Sequence, residues 1–196
     1  MWEGVPMLKR GGLRLLTSSE IRLATELYRN SIQYNRVWIH HGSYLPFGMQ
    51  ENNTAMTPNG EIWFETNVYR DDYSKNLVDS QHLFMHKMMH VWQYQRGMNV
   101  KMRGLVSWAV NYQYDLDRKM LSSYPMEQQA TIVADYWLLT RFGFSGFKQI
   151  VNYVNYDKTE PKRSLIIKYE KVLGDFLCDE ICIFIVYAFF SIGLRW

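Results

Sequence analysis

Cysteine is scarce in this sequence, which limits how the fold can be held together. Only Cys178 and Cys182 occur among 196 residues. On a helix these two side chains would lie on one face with nearly parallel Cα–Cβ directions, which is a poor geometry for a disulfide. A disulfide framework of the kind found in small secreted proteins is therefore not indicated.

Features typical of several other classes are also missing. The N-terminus, Met1–Pro6, has no charged segment followed by an apolar one, so no signal peptide is predicted. A net charge of +3, with basic residues scattered along the chain, is too weak to indicate nucleic-acid binding. The G-x-S-x-G context of a serine nucleophile is absent, as are internal repeats and low-complexity stretches.

A long hydrophobic run of membrane-spanning length is absent as well. Residues Ile181–Leu194 form an uncharged, mostly apolar run of 14 residues, whereas a spanning helix needs about 20. We favour a buried terminal helix or strand for this run, with a membrane-seeking tail as the alternative.

The sequence does contain enough apolar residues for one packed domain. Hydrophobic residues make up 47% of the chain, with 7 Trp, 14 Tyr and 10 Phe, so disorder is not expected. The length suits a single domain with short additions. We predict an N-terminal extension at 1–16, the main domain at 17–177 and an apolar C-terminal tail at 178–196.

Turn and strand signals predict a small antiparallel sheet near the middle of the chain. Pro58-Asn59-Gly60, flanked by β-forming residues, predicts a hairpin over Thr54–Phe64. Arg36–His40 is predicted to form a short strand ahead of it.

Helical periodicity surrounds this sheet and predicts an α+β fold. Thr17 and Glu20 fit a capping box, so a helix should run from about 18 to 30. The remaining helices are expected at Ser80–Arg96 with Gly97 as its stop, at 104–120, from Pro125 to about Arg141 with Gly143 beyond its end, and at Leu165–Phe176.

The helix over Ser80–Arg96 carries two histidines, His86 and His90, four residues apart. Side chains at this spacing share a helix face, with Cβ atoms roughly 6 Å apart, so both imidazoles can reach one zinc ion. In the full H-E-x-x-H motif, the glutamate after the first histidine accepts a proton from water. Here that position is Lys87. The histidine pair alone is weak support for a zinc site, because such spacing also arises by chance.

A third metal ligand should come from the helix that follows Pro125. Glu127 stands 37 residues after His90, in the first turn of that helix. Its carboxylate would complete a His-His-Glu site with a fourth position left for water. Asp135, on about the same helix face, would then orient a ligand from behind. The alternative is that Glu127 only complements the positive end of the helix dipole.

The stretch HLFMHKMMHVWQYQRG resembles the active helix of a bacterial zincin family attached to Rhs and Vgr proteins of type VI secretion, in which an H-E-x-x-H-V-W-Q pattern recurs. The resemblance extends from Leu16 to about Asp175 and includes LTSSEI, NNTAMTPNGEIWF and MEQQATIVADYW. It implies a gluzincin-like fold, one zinc ion, and His86, His90 and Glu127 as its ligands. Lys87, at the position of the general base, departs from the family.

The resemblance also implies a biological setting. By this resemblance, the chain would be a toxin or effector that is made in the bacterial cytoplasm and exported by type VI secretion to the periplasm of a target cell. The partners would be a protein or peptide substrate, a Vgr-type spike protein and an immunity protein. The alternative function is a non-catalytic module that kept the fold and docks on a spike protein or, through its C-terminal tail, on a membrane.

Lys87 leaves three outcomes open for the site. A protonated ammonium about 5 Å from Zn²⁺ is repelled by roughly 7 kcal/mol at an effective dielectric of about 20. The lysine can turn out to solvent, lose its proton and act as an unusual base, or weaken zinc binding so far that the site is vestigial. We favour the first and third together, which makes the chain a catalytically impaired metallopeptidase.

Other candidate side chains carry less weight. We expect His82 on the surface, and His40 and His41 in a loop after the first strand. A tyrosine could donate a hydrogen bond to a transition-state oxyanion. The candidates are Tyr112, Tyr114, Tyr124 and Tyr136, and the sequence does not choose among them.

Overall fold

A mixed sheet and four long helices make up the part of the chain that the structure describes. The computed structural model describes residues 8–100, 111–157 and 159–191. The predicted α+β class is confirmed. In chain order the elements are β1 (Leu13–Leu15), α1 (Ser18–Tyr28), β2 (Trp38–His41), β3 (Ala55–Met56), β4 (Ile62–Phe64), α2 (Val78–Gln95), α3 (Met126–Ile150) and α4 (Lys162–Ser191).

Helix α1 begins where its capping box predicts. The backbone N–H of Glu20 donates to Thr17 Oγ1 at 3.1 Å, and the Glu20 carboxylate accepts from the Thr17 N–H at 2.9 Å. These two bonds satisfy backbone groups that a helix start leaves unpaired. The helix buries Leu23, Ala24 and Leu27 on one face against the core.

The sheet is mixed, which corrects the prediction of an antiparallel one. Its strand order is β1-β2-β4-β3, and β2 runs parallel to β4 while the other two pairs are antiparallel. The hairpin of β3 and β4 is confirmed, with Ala55 opposite Phe64 and Gly60 at a φ of 80° in its turn. Alternation of apolar residues predicts strands but not their direction, so the parallel pairing was not visible in the sequence.

Helix α2 lies at the centre of the fold and packs mainly against α3. It covers the predicted segment and ends before Gly97, whose φ of 84° suits the left-handed position after a helix. Its buried residues lie on nearly all of its faces, from Gln81 to Gln93. The Tyr28 hydroxyl of α1 donates to the Met85 carbonyl at 2.7 Å and ties the two helices together.

Two predicted helices differ in extent from those observed. Pro125 precedes α3 as its N-cap, and the chain leaves helical geometry at Gly143 (φ 64°, ψ −160°) before it continues to Ile150. The last helix runs well past Phe176 to Ser191. Of the helix expected at 104–120, residues 104–110 lie outside the described residues, and 111–120 contain no helix, which is a correction. Tyr114 there forms an isolated parallel bridge with Tyr153.

The domain boundaries drawn at 17 and 177 stay a prediction. Strand β1 begins ahead of the first boundary and pairs with β2, and α4 continues through the second. In the described ranges, no helix combines the length and apolar character that crossing a membrane requires.

The Glu20 carboxylate joins three parts of the fold. It is fully buried and accepts two hydrogen bonds from the Arg14 guanidinium of β1, both at 2.8 Å. It also accepts from the backbone N–H of Tyr73 at 3.0 Å, in the turn that leads to α2. A buried carboxylate with several donors is stable only while all of them remain, because removing it leaves a half-buried guanidinium without its counter-charge.

Replacing Glu20 with alanine is expected to lower the free energy of unfolding by about 3–5 kcal/mol. Urea denaturation followed by circular dichroism measures the change. The matched control is Arg22→Ala on the same helix, which truncates an exposed charged side chain, and a change within about 0.5 kcal/mol is expected. Equal losses for the two variants would contradict the role given to Glu20.

Candidate metal centre

Two helices bring His86, His90 and Glu127 to one point. The histidines lie one turn apart on α2, with ring centroids 4.9 Å from each other. Glu127 reaches them from the first turn of α3, with its Oε2 3.2 Å from His86 Nε2 and 3.0 Å from His90 Nε2. The two Nε2 atoms are 3.1 Å apart. All three side chains are buried, and together they could hold a metal ion.

The shape of this group suits a tetrahedral ion. Ligand bonds of about 2.0–2.1 Å at tetrahedral angles separate neighbouring ligand atoms by about 3.3 Å. The observed triangle, with sides of 3.0, 3.2 and 3.1 Å, is slightly smaller than that. Two imidazole nitrogens and a carboxylate oxygen this close, shielded from water, repel one another unless a cation or a proton lies between them. The donor set therefore fits a metal ion.

Burial also sets the protonation states that a metal requires. It lowers the pKa of His86 to about 3, so this imidazole is neutral near pH 7. Burial alone would raise the pKa of Glu127, but the charge of His90 and hydrogen bonds from His86 and His90 hold it below its ordinary value. A neutral imidazole and an ionised carboxylate are the forms that bind metals.

Gln93 contacts the ring nitrogen of His90 that does not face Glu127. Its Oε1 lies 2.8 Å from His90 Nδ1, and its Nε2 donates to the Met126 carbonyl at 3.2 Å. The side chain is fully buried. Sequence analysis missed this role, although Gln93 is the last residue of the V-W-Q continuation and stands at helical spacing from His90.

Lys87 does not turn out to solvent, which corrects one of the favoured outcomes. Its side chain is buried at 9% exposure, between the two histidine turns of α2. Burial lowers the pKa of its ammonium, and the charge of Glu127 offsets part of that shift. The lysine therefore stays beside the candidate metal centre.

A cavity of about 270 Å³ opens beside His86 and Lys87. Asn53, Thr54 and Ala55, at the start of the hairpin, form part of its wall. The hairpin therefore borders the cavity beside His86. Strand β3 is an edge strand of the sheet, so the cavity lies next to backbone groups that β4 does not use.

His82 and Asp135 form a buried pair, which corrects the surface position expected for His82. His82 lines the same cavity and its Nε2 donates to Asp135 Oδ1 at 2.7 Å. Asp135 Oδ2 accepts from the Tyr114 hydroxyl at 2.7 Å and from the Asn152 N–H at 3.1 Å. Asp135 therefore orients His82, not His86 or His90 as predicted. The spacing of four residues between His82 and His86 was the available signal.

Of the four candidate tyrosines, Tyr112 faces the metal centre. Its ring centroid is 6.1 Å from that of His86, and it lines the cavity. Burial, with Glu127 nearby, raises its pKa to about 12, so the hydroxyl keeps its proton. The other hydroxyls are engaged elsewhere: Tyr114 donates to Asp135, Tyr124 accepts from the Arg118 N–H and Tyr136 donates to Glu170.

His40 and His41 lie in strand β2, which corrects the loop expected for them. His40 Nε2 contacts Glu61 Oε2 at 2.7 Å, and His41 Nδ1 contacts the Leu8 carbonyl at 2.7 Å. Both histidines belong to the sheet and not to the metal centre.

Comparison with known proteins places the chain in a family. No family model matches it. Over 133 residues the chain is 38% identical to the type VI secretion system spike protein VgrG2b of Pseudomonas aeruginosa. The matched segment covers 64% of this chain and 13% of the spike protein. The solved effector domain of Pseudomonas aeruginosa VgrG2b matches with a TM-score of 0.61 and 35% identity, over 75% of this chain and 85% of that domain. The chain belongs to the family of the VgrG2b effector domain.

The match to VgrG2b concerns a small part of the spike protein. The chain spans only 13% of its length, so the similarity describes an effector domain and not the spike as a whole. The family membership supports the Vgr-associated effector class that the sequence motifs indicated.

The metal centre is expected to bind one divalent ion per chain. His90→Ala should weaken binding more than the 10–100-fold typical of losing an outer partner, because a ligand itself is removed. Metal analysis after equilibrium dialysis against Zn²⁺ measures the stoichiometry. His40→Ala is the control, since it removes a histidine of the sheet. Unchanged binding in His90→Ala would show that the ion lies elsewhere.

Proposed function

We propose that this chain is a zinc-metallopeptidase-type effector domain of type VI secretion, catalytically impaired by the lysine at position 87. The observation that carries this proposal is the convergence of His86, His90 and Glu127 beside a cavity. Two histidines and a glutamate are the protein ligands of zinc in several peptidases, where the fourth position is left for water or substrate. The zincin-like fold is part of this proposal, and membership in the VgrG2b effector family supports the secretion context.

The side chains around the cavity fit distinct tasks in peptide-bond hydrolysis. A zinc ion, when bound, would supply Lewis acidity toward a peptide carbonyl and would activate water. The Tyr112 side chain lines the cavity, and its hydroxyl is proposed to donate a hydrogen bond to the oxygen that gains negative charge. Position 87 is where a proton acceptor is needed, and a protonated lysine accepts none. The buried His82–Asp135 pair borders the same space.

Impaired catalysis is proposed because Lys87 lies inside the site beside Glu127, whose charge favours the protonated lysine. A cation held inside the site opposes binding of a second cation and leaves water without a base. Zinc binding is therefore proposed to be weaker than in a site with glutamate at this position. A neutral lysine acting as an unusual base is the competing account.

The substrate is proposed to be a protein or peptide that binds as an added strand. The Glu65 N–H donates to the Thr54 carbonyl at 3.1 Å, and Ala55 pairs with Phe64. Bonded pairs alternate along an antiparallel ladder, so the N–H and C=O of Ala55 point away from β4. Among the described residues no other strand pairs with this side of β3, and an extended peptide is proposed to pair with these two groups beside the cavity.

Delivery and partners follow from the family. The relative is a spike protein by name, and we propose that this chain is carried on or with a Vgr-type spike into the periplasm of a target cell. An immunity protein in the producing cell would then be needed. The division into 1–16, 17–177 and 178–196 belongs to the same proposal.

A non-catalytic binding module is the second candidate. The buried lysine in place of the general base favours it, because such a site can hold a peptide without cleaving it. Docking on a spike protein, or on a membrane through residues 178–196, would then be the function.

Lys87→Glu is expected to raise hydrolysis of a casein-type substrate by about 10²–10⁴-fold, the usual contribution of general acid–base help. It should also strengthen zinc binding, because a positive charge beside the ion is replaced by a negative one. Expression of each form in the periplasm of a susceptible cell gives the matching toxicity test.

Lys87→Met serves as the control for that experiment, since it removes the charge and adds no base. If Lys87→Met is less active than the unmodified chain, the lysine is itself a base. If Lys87→Glu holds zinc but hydrolyses nothing, the peptidase proposal fails and the binding module replaces it.

In the Lys87→Glu background, Ala55→Pro is expected to reduce kcat/KM about fivefold, which corresponds to one lost hydrogen bond of about 1 kcal/mol. Proline removes the N–H that faces the open edge and leaves the bonds to β4 in place. Ala55→Ser keeps that N–H and is the control. Equal kcat/KM values for Ala55→Pro and Ala55→Ser would argue against strand addition at β3.

A further inference from the structure

Two buried amide side chains connect the start of α3 to the metal centre. Gln129 Nε2 donates to the Tyr124 carbonyl at 2.7 Å. Gln129 Oε1 accepts from Gln93 Nε2 at 3.1 Å, and the same Gln93 nitrogen donates to the Met126 carbonyl at 3.2 Å. Both glutamines are buried. We call Gln129 and Gln93 the amide relay.

Backbone carbonyls set the direction of the amide relay. A carbonyl can only accept, so the Tyr124 carbonyl requires the nitrogen of Gln129 and turns its oxygen toward Gln93. The Met126 carbonyl and Gln129 Oε1 then both require the nitrogen of Gln93. A reversed Gln93 amide would set its oxygen against two other acceptors and leave buried groups unpaired, at about 1–3 kcal/mol each.

The relay requires a proton on His90 Nδ1. With its nitrogen engaged, Gln93 presents Oε1 to His90 Nδ1 at 2.8 Å. An amide oxygen accepts, so Nδ1 must donate. Nε2, on the other side of the ring, faces His86 Nε2 and Glu127 Oε2, at 3.1 and 3.0 Å. Without a metal ion, a proton on Nε2 can bond to the Glu127 carboxylate; a bound ion takes the place of that proton, while Nδ1 keeps its own.

We propose that Gln93 is a positioning residue that holds His90 with its Nδ1–H directed at the amide relay and its Nε2 directed at His86 and Glu127, so that the ring is oriented for a metal ion before the ion arrives. The first turn of α3 thus acts on the site twice. It supplies Glu127 directly, and through the relay its backbone fixes the orientation of His90. The inference rests on the proposed metal site, but the proton on Nδ1 is a property of the metal-free protein.

The proton on Nδ1 can be read by NMR without any metal. In the metal-free chain labelled with ¹⁵N-histidine, two-bond ¹H–¹⁵N correlations are expected to show His90 protonated at Nδ1. Gln93→Met keeps the length of the side chain but offers no amide oxygen, so Nδ1 should lose its proton and Nε2 should carry the one that bonds to Glu127. Gln95→Met, two residues along α2, is the control and should leave the His90 pattern unchanged. A His90 without a proton on Nδ1 in the unmodified chain, or an unchanged pattern in Gln93→Met, would overturn the proposal.

Zinc affinity, measured by competition with a chromophoric chelator, separates positioning from packing. Gln93→Met is expected to weaken binding by about 10–100-fold, as the loss of an outer partner of a metal ligand does. Gln93→Glu keeps an acceptor for His90 Nδ1 but loses both donors to the relay. It should bind zinc about as tightly as the unmodified chain while its Tm falls. If affinity falls with Tm in both variants, Gln93 only packs the core and the proposal is wrong.

The two experiments also separate this inference from the proposed function. If no variant and no unmodified chain binds zinc, the metallopeptidase proposal fails. The NMR result then still decides whether the relay keeps a proton on His90 Nδ1. Should Gln93→Met not fold, the protonation of Nδ1 in the unmodified chain and the zinc affinity of Gln93→Glu remain as tests.

Discussion

The structure depends on how a helix with polar side chains is buried at the centre of the fold. A helix buried on nearly every side is normally apolar all round. Helix α2 instead carries polar groups within its buried surface, and each must find a partner or cost free energy. Helix α3 meets most of that need. It supplies Glu127 to two histidines, Asp135 to a third, and the Met126 carbonyl and Gln129 to Gln93. The packing of α2 on α3 is therefore at once the core and the site.

Local signals predicted the parts of the fold whose cause is local. The capping box of Thr17 and Glu20, the turn at Gly60 and the end of α2 before Gly97 each rest on a few neighbouring residues, and all three occur as expected. The parallel pairing of β2 with β4 depends on where a distant strand lies, which periodicity does not encode. The expected helix at 104–120 had no such capping or turn signal, and its described part, 111–120, is held instead by a bridge to Tyr153.

The residues of the site also divide into those that the sequence predicted and those whose position depends on how distant elements pack. His86 and His90 follow from spacing on one helix, and Glu127 followed from the need for a third donor together with the family resemblance. The sequence did not predict the hydrogen-bond partners of Asp135 and Gln93, because these partners depend on the rotation of α3 about its axis relative to α2. That rotation turned Asp135 toward His82 and brought the Met126 carbonyl to Gln93. A sequence pattern gives the faces of two helices but not the angle at which they meet.

Lys87 and a metal ion would compete for the negative charge of the Glu127 carboxylate. Glu127 is one of the three candidate metal ligands, and its charge also stabilises the charge of Lys87. In the first role it would bind a divalent ion directly, and in the second it acts across space on a buried ammonium. Both cations cannot be fully stabilised, since each raises the electrostatic cost of the other. With glutamate at position 87 the conflict vanishes, because the second charge then attracts the ion. The lysine leaves the framework of α2 and α3 intact, so the same packing can present a metal site or a pre-formed cleft without catalysis. Which of these the chain uses depends on the balance between the two cations and not on the fold.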